Sequence, residues 1–333
     1  MRGIALLTIL FCLLLPAGAS AETPAAVFVR LASPEAVHDA RLAEHEQARL
    51  HLEKTGIATA SLVVTPEEAK AELIRVARAG AELVAALSPD LFDAAVAAAA
   101  AAPKTVFFVL SDREPPDSLS VFAARMWEGW YVAGRSAARR EGGIGWLAPV
   151  DEAGRLSPDQ ERDLHAFVRG VRSVRPQGQV TLLRTPTTVP RDEAAAADAL
   201  ARLAGRIRQD HQNGPALIVA PPFVAEAGNR AASAANVVFL PGPTCDWTRV
   251  YGSLLVQIRF GLWRHRATSY GMREGVVRFD PPDGAPDPEA IAFVRGAKPF
   301  PPGLDDAGQE TPGAEETNAP GGLRDITDER MEN

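Results

Sequence analysis

The sequence predicts an α/β protein of two lobes, each a parallel sheet flanked by helices. Three observations lead there. Apolar, strand-like runs alternate with helix-periodic segments along most of the chain, the order of a parallel sheet covered on both faces. The connections between them are short. Finally, about 280 residues lie between an apolar leader and an acidic tail, which is too many for one ordinary core.

The elements follow in order. Ala25–Leu31 reads as a buried first strand and Ala36–Lys54 as a helix stopped by Gly56. Ala58–Val64 is the second strand. Thr65, Pro66 and Glu68 then supply N-cap, N1 and N3 residues for a helix that ends at Gly80. Glu82–Leu87 is the third strand, Leu91–Ala102 an alanine-rich helix and Thr105–Leu110 a fourth strand. A polar, proline-rich passage around Arg113–Ser118 marks a lobe boundary, followed by a short strand at Leu119–Phe122.

The second half repeats the scheme. Helix Met126–Arg140 leads to strand Ile144–Ala148, helix Asp159–Val174 to strand Gln179–Leu183, and helix Arg191–Gln209 to strand Ala216–Ala220. Helix Phe223–Ala234 precedes strand Val237–Leu240. A long helix from Trp247 to about His265, a strand at Gly275–Phe279 and a helix at Pro288–Arg295 complete the body. These later segments return to the first unit. The expected organisation is residues 22–118 plus 241–266 as the N-terminal lobe and 119–240 plus 267–302 as the C-terminal lobe.

The ends carry different signals. Arg2, an apolar run at Ile4–Leu15 and the small-residue site Ala19-Ser20-Ala21 form a cleavable signal peptide over residues 1–21. Its 12 apolar-run residues fall short of the roughly 20 needed to cross a bilayer. Cys12 lacks the small residues before it that lipidation needs. Without the leader, Cys245 is the one remaining cysteine, so no internal disulfide supports the fold. Residues 303–333 hold nine acidic residues and two arginines, which accounts for the whole net charge of −7. Their composition predicts a disordered, solvated acidic tail. The body is therefore nearly neutral and has no basic field for nucleic acid.

The six histidines make no metal site: His45 and His51 are six apart, on different faces of one helix, and His165, His211 and His265 lie in separate elements. No nucleophile elbow or phosphate-cradling glycine loop occurs. An enzymatic reading thus has no supporting constellation, and no cofactor is implied.

Residues 123–150 are the most specific part of the chain. Trp127, Tyr131 and Gly134 share one helix face, and Gly134 leaves a gap there for a neighbouring element. Gly142-Gly143 breaks the helix before the strand. Arg125, Glu128, Gly129, Tyr131, Ala133, Gly134, Ala137, Ile144, Gly145 and Trp146 together resemble the basic membrane protein (BMP) family of periplasmic solute-binding proteins at the start of their second lobe. Ala166-Phe167 with Gly170, Asp246-Trp247 with Tyr251, and Gly271 through Val277 are similar to the family in the expected order. The resemblance covers about residues 25–282. It implies a type I periplasmic-binding-protein-like fold with three hinge crossovers, and a nucleoside or related purine solute in the cleft. Its partner would be an inner-membrane ABC permease.

The ligand loops diverge from that pattern. Where relatives carry Asp, Gly and an aromatic at the first helix, this chain has His38-Asp39-Ala40-Arg41. Ser88-Pro89-Asp90 follows the third strand, and Arg184-Thr185-Pro186 follows the strand that starts near Gln179. Leu240-Pro241-Gly242-Pro243-Thr244 stands where relatives place aspartates for ribose hydroxyls. The resemblance carries over Asp39, Ser88, Asp90, Trp127, Arg184 and Asp246 as ligand-binding candidates. Each has a plainer alternative. Asp39 can cap its helix, Ser88-Pro89-Asp90 can cap the next one, and Trp127 can be hinge packing. Arg125 and Glu128 are placed for an ion pair between lobes. The expected function is a periplasmic binding protein that closes on a small polar solute without chemistry. The alternative is a degenerate member serving as a periplasmic sensor or interaction partner.

Overall fold

The computed structural model describes residues 23–32, 40–150, 153–186, 216–220, 225, 237–281, 287–304 and 323–326. The leader and the expected helices at 191–209 and 223–234 lie outside them, apart from Ala225.

The first sheet is parallel throughout. Its strands are β1 (Ala26–Leu31), β2 (Thr59–Val64), β3 (Leu83–Ala86), β4 (Val106–Leu110) and β5 (Ser120–Ala124), with the later β11 (Ala267–Tyr270) beside β5. The order across the sheet is β11-β5-β4-β3-β1-β2. Helices α1 (Ala40–Lys54), α2 (Pro66–Arg78) and α3 (Phe92–Ala101) connect the strands. Thr65 caps α2 as its spacing predicts, accepting a hydrogen bond from the Glu68 N–H. Both faces are covered, which is why β3 is buried at every residue.

The second sheet is also parallel, in the order β13-β7-β6-β8-β9. Its strands are β6 (Ile144–Val150), β7 (Val180–Pro186), β8 (Ala216–Ala220), β9 (Val237–Pro241) and β13 (Leu323–Ile326). Helices α4 (Met126–Ala138) and α5 (Pro158–Val174) pack together on this sheet. Their contact is as close as two helices allow: a Cβ on Gly134 would strike the Phe167 carbonyl, and one on Gly170 would strike the Tyr131 carbonyl.

Three segments cross between the sheets: β5 into α4, β9 into the short strand β10 (Thr244–Cys245), and β11 into β12 (Val277–Arg278). β10 and β12 pair antiparallel. The long helix α6 (Thr248–Arg259) returns to the first lobe and packs on α1 through Tyr251, whose hydroxyl meets His45 Nδ1 at 2.7 Å. Helix α7 (Pro288–Val294) is held to the second lobe through Asp287, which accepts from Arg135 and Arg139.

The sheets shift the lobe boundaries drawn from sequence. β5 and β11 were placed in the C-terminal lobe, yet both hydrogen-bond into the first sheet. The tail boundary moves too. Leu304 is fully buried, and residues 323–326 form β13 on the edge of β7, where they satisfy backbone groups that an open edge leaves unpaired.

Candidate functional site

In open α/β sheets the carboxyl edges of the strands are where ligands bind, and here those edges of the two sheets face a shared boundary. α1 begins at the carboxyl edge of the first sheet and α5 at that of the second, so the first turns of both helices meet across it. Arg41 of α1 reaches Asp159 at 3.4 Å and Asp163 at 3.7 Å, both on α5. One turn further along α1, Glu44 accepts the Cys245 backbone N–H at 2.8 Å. Cys245 belongs to a crossing segment, and its sulfur lies 3.2 Å from Met126 Sδ at the start of α4.

Asp163 is the electrostatic centre of this cluster. It is 5% exposed, and burial pushes its carboxyl up to about 7 against the opposing pull of Arg41 and of a hydrogen bond from Trp130. Asp159 adds a like charge in the raising direction. The result is an acid that changes protonation near neutrality and can therefore donate or accept a hydrogen bond. Burial also pushes the Cys245 thiol well above its ordinary value, so that sulfur is not a nucleophile.

Trp130 forms the floor beneath Asp163. Its ring packs edge-on against Trp146 and Phe167, with centroids 5.5 and 6.2 Å away. The loop after β9 lies directly on it, since a Cβ on Gly242 would come within 2.5 Å of the indole, and Pro243 presses equally close on Gly129.

The sequence candidates fall in several places. Asp39 lies outside the described residues. Ser88 accepts the Asp90 N–H at 3.3 Å and caps a short 3-10 turn, with Asp90 exposed. Trp127 packs edge-on against Phe300 at 5.8 Å. Arg184 stands near the carboxyl end of β7, half-buried. Asp246 binds Arg278 at 2.7 Å and caps α6 by accepting the Thr248 N–H at 3.0 Å. Arg125 and Glu128 do form an ion pair, at 2.5 Å, and it spans a hinge: Arg125 also holds Glu274 and the Ser269 carbonyl, while Glu128 accepts the Met272 N–H.

Arg41, Glu44 and Asp163 were not singled out from the sequence. Two signals were there to read. Arg41 and Glu44 sit in the first turns after β1, at a carboxyl edge. Asp163 is a charge on the apolar stripe of α5, in line with Phe167 and Gly170. His45, close to them in sequence, is not part of the site. It is buried and stacked on Trp247 at 4.8 Å, and burial lowers it to about 3. Among the described residues no group of three or more His, Cys, Asp or Glu is placed to hold a metal ion.

Comparison with known proteins agrees with this architecture. No family model matches the chain. A purine-binding protein of Brucella abortus (strain 2308) is 29% identical over 259 residues, which cover 73% of this chain and 72% of that protein. An ABC transporter solute-binding protein from Conexibacter woesei DSM 14684 superposes with a TM-score of 0.63 at 18% identity, over 83% of this chain and 98% of that one. One from Aeropyrum pernix K1 gives 0.57 at 14% identity, over 85% and 84%.

Two wound parallel sheets joined by three crossings, together with these neighbours, define a type I periplasmic-binding-protein-like fold. Within it, the sequence relative is a purine-binding protein, and the motifs at 123–150 are similar to those of the BMP solute-binding proteins. The similar proteins are binding proteins, not enzymes. No helix among the described residues is long and apolar enough to cross a membrane.

Proposed function

We propose that this protein is the solute-binding component of an ABC importer, exported by its leader to the periplasm, and that it holds a free purine base between its lobes. The observation that carries the reading is the polar cluster where the carboxyl edges meet. Arg41 from one lobe pairs with Asp163 from the other, and Glu44 on the same helix holds the Cys245 N–H of a crossing segment, at the place where a closing two-lobed protein grips its solute. A purine base presents ring acceptors and N–H donors along its edges. A guanidinium, a carboxylate and an acid that titrates near neutrality match both kinds of group. Arg184, near the carboxyl end of β7, joins them in this proposed site.

A base is favoured over a nucleoside by the loop at 241–244. It contains no carboxylate to accept a ribose diol, and Gly242 and Pro243 are packed tight against Trp130 and Gly129. The purine-binding relative supports the same class.

Thermal unfolding with adenine, guanine, hypoxanthine and their nucleosides tests this. A bound base at a hundredfold its Kd should stabilise the protein by about 2.7 kcal/mol, with a smaller gain from the matching nucleoside. A melting temperature unmoved by every base and nucleoside would overturn the transport reading and leave the sensor or interaction-partner role.

A further inference from the structure

The turn that ends α6 holds an apolar tip in solvent. Phe260 is 75% exposed and Leu262 66%, and the exposed Val256 lies one turn before Phe260 on the same face of the helix. The other large apolar side chains exposed among the described residues, Leu50, Val63 and Val238, are less so and sit singly on α1, β2 and β9. Single residues of that kind are ordinary on a protein surface, whereas a cluster marks a contact.

The turn is held in place by hydrogen bonds. Gly261, at φ +65°, donates its N–H to the Ile258 carbonyl at 3.0 Å, and Leu262 donates to the Gln257 carbonyl at 2.8 Å. That is a Schellman cap, in which the residue after the glycine commonly folds back on the helix. Leu262 stays in water instead. Trp263 turns inward and packs edge-on against Phe108 at 6.1 Å. The backbone order therefore displays Phe260 and Leu262 rather than burying them.

Position and charge narrow the partner. The 12 residues of α6 make about 18 Å of helix, running from a crossing segment to the amino edge of the first sheet. There Arg259 meets Glu82, just before β3, at 2.9 Å, and the Arg266 carbonyl accepts the Val121 N–H near the start of β5. The tip thus stands at the end of the lobe opposite the cleft. Arg264 and Arg266 flank it, both exposed. Arg264 donates to the Gly261 and Trp263 carbonyls and Arg266 lies over the Trp263 ring, and neither forms an ion pair with a described residue.

We propose that this tip is a peripheral membrane contact. Phe260 and Leu262 enter the headgroup layer of an anionic bilayer while Arg264 and Arg266 meet its phosphates. A second copy of the chain fits less well. Three side chains fall short of the roughly 800 Å² per partner that a stable interface buries, and a two-fold pair would bring both sets of arginines together. Docking by this end leaves the cleft clear of the bilayer. The inference does not depend on what the cleft holds.

The test is flotation of the exported protein, purified from the periplasm, with lipid vesicles at physiological ionic strength. Vesicles of phosphatidylglycerol and phosphatidylethanolamine should carry it, and vesicles of phosphatidylcholine should bind it about tenfold or more weakly. Phe260→Ser/Leu262→Ser should weaken binding to the anionic vesicles about tenfold or more, and so should Arg264→Gln/Arg266→Gln. All four side chains are exposed, so both variants should keep the parent's melting temperature and its response to purines. A parent that does not float with the anionic vesicles would overturn the proposal, as would equal binding to the two kinds of vesicle. So would a Phe260→Ser/Leu262→Ser variant that binds as tightly as the parent. A dimer in sedimentation velocity that this variant abolishes, in a protein that floats with neither vesicle, would give the tip to a second copy instead.

Discussion

Asp163 shows how much a single residue can decide. An ordinary aspartate loses its proton near pH 4, whereas burial holds this one until about 7. Between those values the native state keeps a proton that the unfolded chain has released. Stability therefore falls as pH rises through this window and levels off above it. The penalty is absent below pH 4 and complete above pH 7, where three pH units correspond to roughly 4 kcal/mol. Urea unfolding at intervals from pH 4 to 8 should show this decline in the parent and a flatter profile in Asp163→Asn. Parallel profiles would show that the carboxyl titrates normally. The same residue marks the limit of what the sequence discloses about the site. Its place on an apolar stripe was visible, but its partner Arg41 lies 122 positions earlier, and only the meeting of two helix starts brings them together. Ser88 and Asp246 show the opposite case. Their positions at strand and helix junctions suited a ligand, and the nearby backbone N–H groups of Asp90 and Thr248 took their side chains as caps.

At the scale of elements, the pair α4 and α5 carries the second lobe's packing, and glycine makes it possible. Replacing a helix-interior glycine by alanine ordinarily gains up to about 1 kcal/mol. At Gly134 the added methyl would meet the Phe167 backbone, which no side-chain rotation can relieve. Overpacking of this kind costs about 1–3 kcal/mol, so Gly134→Ala should lower the melting temperature. Gly252→Ala on α6, where a Cβ meets nothing within 4 Å, should leave it unchanged or raise it. A stabilised Gly134→Ala would refute the close crossing. The glycine gap was legible in the sequence, as were the parallel strands through β9, because continuous apolar runs and helix periods are local signals. The misreadings came where local signals fail. β11 is Ala-Thr-Ser-Tyr, half exposed at a sheet edge, and has no apolar run to announce it. The strand expected at 275–279 shrinks to two residues because Gly275, at φ +71°, turns the chain. α6 stops at Arg259, short of His265, because Gly261 at φ +65° closes the helix in a left-handed cap.

For the whole molecule, two sets of contacts govern how the lobes sit. The hinge is fixed by a knot around the buried Glu128: Arg125 binds Glu128, Glu274 and the Ser269 carbonyl, and Glu128 holds the Met272 N–H. Across the cleft the tie is lighter. Arg41 is 43% exposed on its side chain and reaches its two aspartates at 3.4 and 3.7 Å. Pairs of this kind are worth up to about 1 kcal/mol, a factor of about five in the balance between open and closed states. Such a latch biases closure without locking it, and leaves room for a solute to complete it. Arg41→Ala should therefore enlarge the radius of gyration of the solute-free protein in small-angle scattering. A saturating purine base should compact both proteins, and the variant should need at least about five times more of it, since its closed state starts less populated and it lacks the Arg41 contact to the base. Equal radii for parent and variant without solute would show that Arg41 holds nothing closed. A radius that stays fixed on adding base, in a protein whose melting temperature rises with it, would place the solute in lobes already shut and remove hinge motion from the account.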